Sequence, residues 1–305
     1  MPTLVLLALA GFGAQLVDGA LGMGYGVTST TLLLLAGLSP AAASASVHFA
    51  KIGTALASGW AHWRFDNIDP TLVLRLGLPG AAGALIGALL LSGLSSAASA
   101  PLMAGLLVAL GVFVLVKYSV RPPRQAVARM SPHGNRFLAP VGFVGGFVDA
   151  TGGGGWGPVV TSSLMTAGRT APRTVIGSVS ASEFVVAVAA SAGFVIGLGH
   201  AGIDWLAVVG LLVGGIIAAP LAAWLVTRLP ATVLGVAVGG LIVLSNLRIV
   251  LGSAGVEGAA VPAAHVVVAL ASVVLVGVAA RRLRATRRAS AEAAAEWELM
   301  EAGRG

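Results

Sequence analysis

Val17-Asp18-Gly19-Ala20-Leu21-Gly22-Met23-Gly24-Tyr25-Gly26 is answered about 131 positions later by Val148-Asp149-Ala150-Thr151-Gly152-Gly153-Gly154-Gly155-Trp156-Gly157. Both stretches place an aspartate before a run of glycines and an aromatic residue after it. Both are embedded in strongly apolar sequence. Glycine clusters free the backbone from regular helix, and at hydrocarbon depth free N–H and C=O groups survive only where protein or a wet cavity surrounds them. The pair therefore reads as two helix breaks facing one enclosed space.

The correspondence extends in both directions. Gly11-Phe12 matches Gly142-Phe143, Pro40 matches Pro172, Ser46-Val47 matches Ser178-Val179, Lys51 matches Glu183, Ile68-Asp69 matches Ile203-Asp204, and Gly80 matches Gly215. An internal duplication accounts for the series. Each half has the same order, a glycine-interrupted hairpin (3 to 38, and 137 to 168) followed by three apolar segments. These are 41 to 62, 71 to 91 and 101 to 118 in the first half, and 172 to 199, 205 to 226 and 230 to 252 in the second. Units follow at 1–118 and 137–252, separated by a basic linker at 119–136. A further span at 262–282 and a tail at 283–305 complete the chain, and the tail's Ala/Glu alternation around Trp297 predicts a short amphipathic or frayed helix.

Composition sets the solvent. Hydrophobic residues make up 57% of the 305 positions, charged residues only 10%, and mean hydropathy is +0.96. A soluble domain carries about 25% charged residues. Apolar runs near 20 residues are the length of helix that crosses hydrocarbon. The fold class is thus an all-α polytopic membrane protein built from two repeats. The first segment lacks a basic leader and a small-residue cleavage motif, so it is expected to be retained. With no cysteine, disulfides and thiolate chemistry are excluded. The net charge of +7 is carried by short connections beside apolar segments, a pattern of membrane orientation rather than of nucleic-acid binding.

Orientation follows from those connections. The hairpin arms of the second half, read as 13 or 14 residues, span roughly 20 Å, short of a roughly 30 Å core, so each hairpin is expected to dip in and return. Each repeat then crosses three times and the second is inverted relative to the first. With the N-terminus outside, 16 of 18 lysines and arginines fall in the cytoplasm with the C-terminus. Only Lys51, in mid-membrane, and Arg248, near the outer end of its helix, remain.

Candidate site residues gather at the breaks. Helices restarting at Tyr25 and Trp156 would point their N-terminal N–H groups at the cavity, which suits an anion. Gly22, Gly24, Gly153 and Gly155 shape that cavity, although glycines also serve simple helix packing. Asp18 and Asp149 either cap loose N–H groups at each tip or bind a coupling proton or cation. Lys51 and Glu183 each lie 11 residues past a helix-starting proline, halfway along a helix. They read either as an ion pair joining the halves or as an anion ligand and a proton exchanger. Ser46, Ser178, Thr28, Thr161, Asn246 and His48 are polar groups at similar depth, which backbone bonds commonly absorb. Arg248 reads as an interface anchor or gate. The histidines His48, His62, His133, His200 and His265 are scattered without metal-ligand spacing, and no cofactor is implied.

The glycine-rich hairpin followed by a proline-started helix, twice, together with Gly214-Gly215-Ile216-Ile217-Ala218-Ala219-Pro220, resembles the TauE/SafE sulfite exporter family of membrane permeases. The resemblance spans roughly Leu4 to Leu251. It implies transport of sulfite, a sulfonate such as sulfoacetate, or a related small anion across the cytoplasmic membrane, driven by protons, and it carries over the two hairpins with Asp18 and Asp149. A homodimer is compatible with this reading. Two other classes stay open at this stage. A passive anion channel would use the same midplane lysine, and an intramembrane aspartyl enzyme would need Asp18 and Asp149 to meet as a dyad.

Overall fold

A computed structural model describes residues 2–21, 23–120, 134–167, 169–225 and 231–302. The described residues are helical throughout, with no strand. The first half contains α1 (Pro2–Leu21), α2 (Tyr25–Leu35), α3 (Pro40–Arg64), α4 (Pro70–Gly93) and α5 (Ser96–Val120). The second contains α6 (Asn135–Gly152), a π-helical turn (Gly157–Thr161) running into α7 (Ser162–Ala167), then α8 (Pro172–Leu198), α9 (Trp205–Leu225) and α10 (Ala231–Ser253). The long α11 (Ala260–Ala302) closes the chain. The basic stretch 121–133 of the linker and Gly22 lie outside the described residues.

Among the described residues five helices, α4, α5, α8, α10 and α11, are long and apolar enough to cross a membrane. Their outward faces carry exposed Leu78, Ile86, Ile196, Val267 and Val273, as a hydrocarbon solvent allows. The protein is a multi-pass membrane protein. At 25 residues α3 is long enough too, about 38 Å, but it carries His48, Lys51, His62 and Arg64.

Two expectations about length need revision. The hairpin arms are unequal, 18 residues in α6 but only 11 from the π-turn through α7, because Asn135 starts its helix before the apolar run does. The tail is no separate short helix. Residues 283 to 302 continue α11 without a break, since Ala, Glu, Arg and Leu are strong helix formers and no glycine or proline interrupts them.

Each hairpin doubles back. Leu7 near the start of α1 and Leu33 near the end of α2 belong to one packed cluster with Leu211 of α9. The halves are interleaved rather than side by side. A Cβ at Gly11 of α1 would strike the Leu211 carbonyl of α9, and one at the equivalent Gly142 of α6 would strike the Leu76 carbonyl of α4. Gly146 meets Gly80 and Gly214 meets Ala8 in the same way, so these two crossings are backbone against backbone. Equivalent helices also meet each other antiparallel. Along α3 and α8, His48 stacks near Phe194 at 5.9 Å between ring centroids while Gly59 lies against Ala181. Along α5 and α10, Gly111 abuts Ile242 and Tyr118 abuts Gly235.

Hydroxyl exchange repeats the pattern. Ser46 of α3 donates to the backbone carbonyl of Asp204 at 3.3 Å, and its equivalent Ser178 of α8 accepts from the backbone N–H of Asp69 at 2.9 Å. Asp69 and Asp204 in turn cap α4 and α9, accepting from Thr71 N–H at 2.8 Å and Ala207 N–H at 2.9 Å.

Candidate functional site

The two helix breaks meet at the centre of the bundle. α6 is capped at its C-terminus by Gly153, whose φ of 70° is the left-handed conformation that glycine adopts without penalty. Gly24, at φ 126°, opens the equivalent gap before α2. The tips interlock. Thr30 donates to the Gly153 carbonyl at 2.7 Å, and Gly26 lies so close to Gly154 that neither has room for a Cβ.

The helix N-termini at these tips do not stand open. Gly155 and Trp156 N–H donate to Asp149 Oδ1 at 2.6 and 3.0 Å, and Tyr25 N–H donates to Asp18 Oδ1 at 3.1 Å. The anion at each positive helix end is therefore the chain's own carboxylate. An unsatisfied N–H in a nonaqueous interior costs several kcal/mol, and an aspartate six or seven residues upstream is within reach across the glycine turn.

Lys51 of α3 then joins the halves. Its Nζ lies 2.9 and 3.0 Å from the two Asp149 oxygens and 2.7 Å from Glu183 Oε1 of α8. The Lys51–Glu183 pair named from symmetry is present, and a second carboxylate shares the lysine. His48, one turn before Lys51, places Nε2 3.1 Å from Asp149 Oδ2 and is itself held through Nδ1 by the Ser44 carbonyl at 2.8 Å. Asp149 is thus surrounded by two N–H groups, an ammonium and an imidazole. Glu183 is different. Its side chain is 25% exposed, against 1% for Asp149.

Two small cavities adjoin this cluster, of about 30 and 50 Å³, and both are bordered by Asp18, Tyr25, Lys51, Ser180 and Glu183. Each has room for one or a few waters. Gly24, Gly155, Trp156, Thr161 and Asp149 line the first as well. The aromatics seat on equivalent glycines of the opposite half. Trp156 packs on Gly80 and donates Nε1–H to the Val179 carbonyl at 3.1 Å, while Tyr25 lies near Gly215 and donates its hydroxyl to the Leu211 carbonyl at 3.1 Å.

The remaining candidates lie elsewhere. Ser46 and Ser178 make the inter-half backbone bonds described above. Thr28 is buried with no hydrogen-bond partner and does not line either cavity. Asn246 is buried and bonds Thr31 Oγ1 at 3.2 Å and the Ile242 carbonyl at 2.9 Å. Arg248 is exposed on α10. Gly153 shapes the tip without facing the cavities. Asp18 and Asp149 sit on different tips, and of the two it is Asp149 that Lys51 holds. Thr54 and Ser180 were not singled out from sequence, yet they border the second cavity. Each is three residues, one helical turn, from Lys51 or Glu183, so helical spacing was the available signal.

The model of the family described as Sulfite exporter TauE/SafE matches residues 7–249. Among curated proteins, the chain is similar to the "Probable membrane transporter protein YtnM" of Bacillus subtilis (strain 168), at 46% identity over 248 residues, which cover 81% of this chain and 83% of that protein. No solved structure matches.

Proposed function

We propose, from the premise that this chain belongs to the sulfite exporter TauE/SafE family, that it is a proton-coupled secondary transporter of a small anion such as sulfite or a sulfonate. The observation that carries it is the shared lysine: one ammonium between two carboxylates of unequal freedom, in a cavity enclosed by two broken helices.

Asp149 is fixed by its backbone and His48 bonds and acts as the permanent counter-charge. Glu183, more exposed and on the other half, is the exchangeable one. A proton on Glu183 cancels its hold on Lys51 and releases one positive charge for an incoming oxyanion, so proton and monoanion enter together with no net charge buried. Loss of the proton restores the pair and expels the anion. Thr54 and Ser180 border the space and supply hydroxyl donors to the anion's other oxygens.

The antiparallel meeting of α3 with α8 and of α5 with α10 supports an inverted-repeat arrangement, in which one half rocks against the other to open the site alternately to each side. Cavities that hold only water favour such alternation over a continuous pore. The distribution of basic residues supports an orientation with the C-terminus in the cytoplasm and the N-terminus outside.

Flux into proteoliposomes tests this. Lys51→Ala is expected to reduce sulfite or sulfoacetate flux to that of protein-free vesicles while the protein still inserts; normal kinetics would remove Lys51 from the site. Glu183→Gln is expected to keep substrate exchange and to lose accumulation driven by a proton gradient. Retained accumulation would end the proton-carrier role, and wild-type flux indifferent to the gradient and without counterflow would indicate a channel.

A further inference from the structure

Lys117 stands near the end of α5, where a lysine ordinarily extends outward to the membrane surface. Here the side chain turns the other way. A helical side chain leans toward its own N-terminus, and the Lys117 ammonium reaches back into the bundle without meeting a carboxylate. It donates to Ser162 Oγ at 2.9 Å and lies 3.6 Å from Met23 Sδ, with the rings of Phe113 and Tyr118 5.9 and 5.7 Å away. Among the described residues no Asp or Glu comes within ion-pair distance of it.

One of these neighbours borders the central cavity and the other adjoins a residue that does. Met23 lines that cavity from the first hairpin tip and rests on Gly157 of the second, and Thr161, which also lines it, directly precedes Ser162. The matching hydroxyl in the other half, Thr31, is held by the neutral Asn246. One of the two matching hydroxyls is thus held by an amide and the other by an ammonium.

We propose that Lys117 and Ser162 form a second oxyanion-binding station, on the α5 C-terminal side of the cavity, with the Met23 side chain as the movable partition between the two. The inference rests on the anion-transport reading, and it adds a place where the anion waits. An ammonium with a hydroxyl beside it supplies a charge and directed donors to a sulfite or sulfonate head. At Lys51 the same charge is already taken by two carboxylates, so the unpaired lysine is the better first contact. Methionine, unbranched and flexible, is suited to swing aside and return.

The chain has no cysteine, so Ser162→Cys introduces a single thiol at the station. In nanodiscs, an anionic sulfonatoethyl methanethiosulfonate is expected to modify that thiol about tenfold faster than the cationic trimethylammonium analogue, because a nearby fixed charge raises the local concentration of its counter-ion. Adding Lys117→Gln should bring the two rates together, and Lys117→Arg should keep them apart. Millimolar sulfoacetate should slow modification when residue 117 is cationic and have no effect in the Lys117→Gln variant. Equal rates for the two reagents, absence of sulfoacetate protection, or no modification at all would overturn the proposal. These rates are read without flux: normal transport in Lys51→Ala would sink the central-site reading alone, and an unbiased thiol at position 162 would sink the station alone.

Discussion

Asp18 and Asp149 occupy the same place in two copies of one motif, and their surroundings have diverged. Asp149 receives two backbone N–H groups, Lys51 and His48. Asp18 receives the N–H of Tyr25 and shares its cavity wall with Glu183. The difference traces to α3 and α8, where Lys51 faces Glu183 and His48 corresponds to Ser180. The two halves share matching backbone contacts, while the charges at their centre are complementary. Backbone contacts between glycines kept their symmetry because they need only the absence of a side chain. Charges could not stay symmetric, since two identical lysines or two identical glutamates at the bundle centre would repel each other in a poor dielectric.

The largest test of this contrast is to neutralise each aspartate in turn. Asp149→Asn is expected to lower stability by roughly 3 kcal/mol, the cost of removing one partner from a buried pair. Asp18→Asn keeps a capping acceptor and loses about 1 kcal/mol or less. Thermal unfolding in detergent measures both, and equal losses would mean that the asymmetry of partners has no energetic content.

A smaller difference is expected at the glycines beneath the aromatics. A Cβ at Gly80 would come within 2.5 Å of Trp156 Cη2, whereas at Gly215 the nearest atom is Thr54 Cγ2 at 3.3 Å. Gly80→Ala should therefore cost about 1–3 kcal/mol through overpacking, and Gly215→Ala close to nothing, by the same unfolding assay. If both are tolerated, the Trp156 seat is softer than the packing indicates. The smallest effect belongs to Arg248→Gln. The exposed side chain lies outside the cavities, so flux and unfolding temperature should match the parent protein, and a clear loss of flux would return Arg248 to a gating role.

Much of this was legible in the chain. The paired glycine runs located both tips, and the 11-residue spacing after Pro40 and Pro172 put Lys51 opposite Glu183. Asp149 as the second partner of Lys51 was not legible, because the motif match pairs it with Asp18 and says nothing of which tip lies nearer α3. Nor was the inward turn of Lys117, which by sequence belongs to the basic connection that follows it. Ser46 and Ser178 show the reverse case. Their repetition marked them as site candidates, and their hydroxyls turn out to bind the backbone at Asp204 and Asp69.

By itself the sequence determined the solvent, the helical class, the paired glycine motifs and the family, since apolar length, composition and repeated spacing are properties of the chain that no packing alters. Tertiary structure alone decided that Asp149 shares Lys51 and that the tip N–H groups are taken by the chain's own aspartates. Those depend on distances of about 3 Å between residues some hundred positions apart, and a hydrogen bond does not survive an error of even 1 Å in how two helices cross.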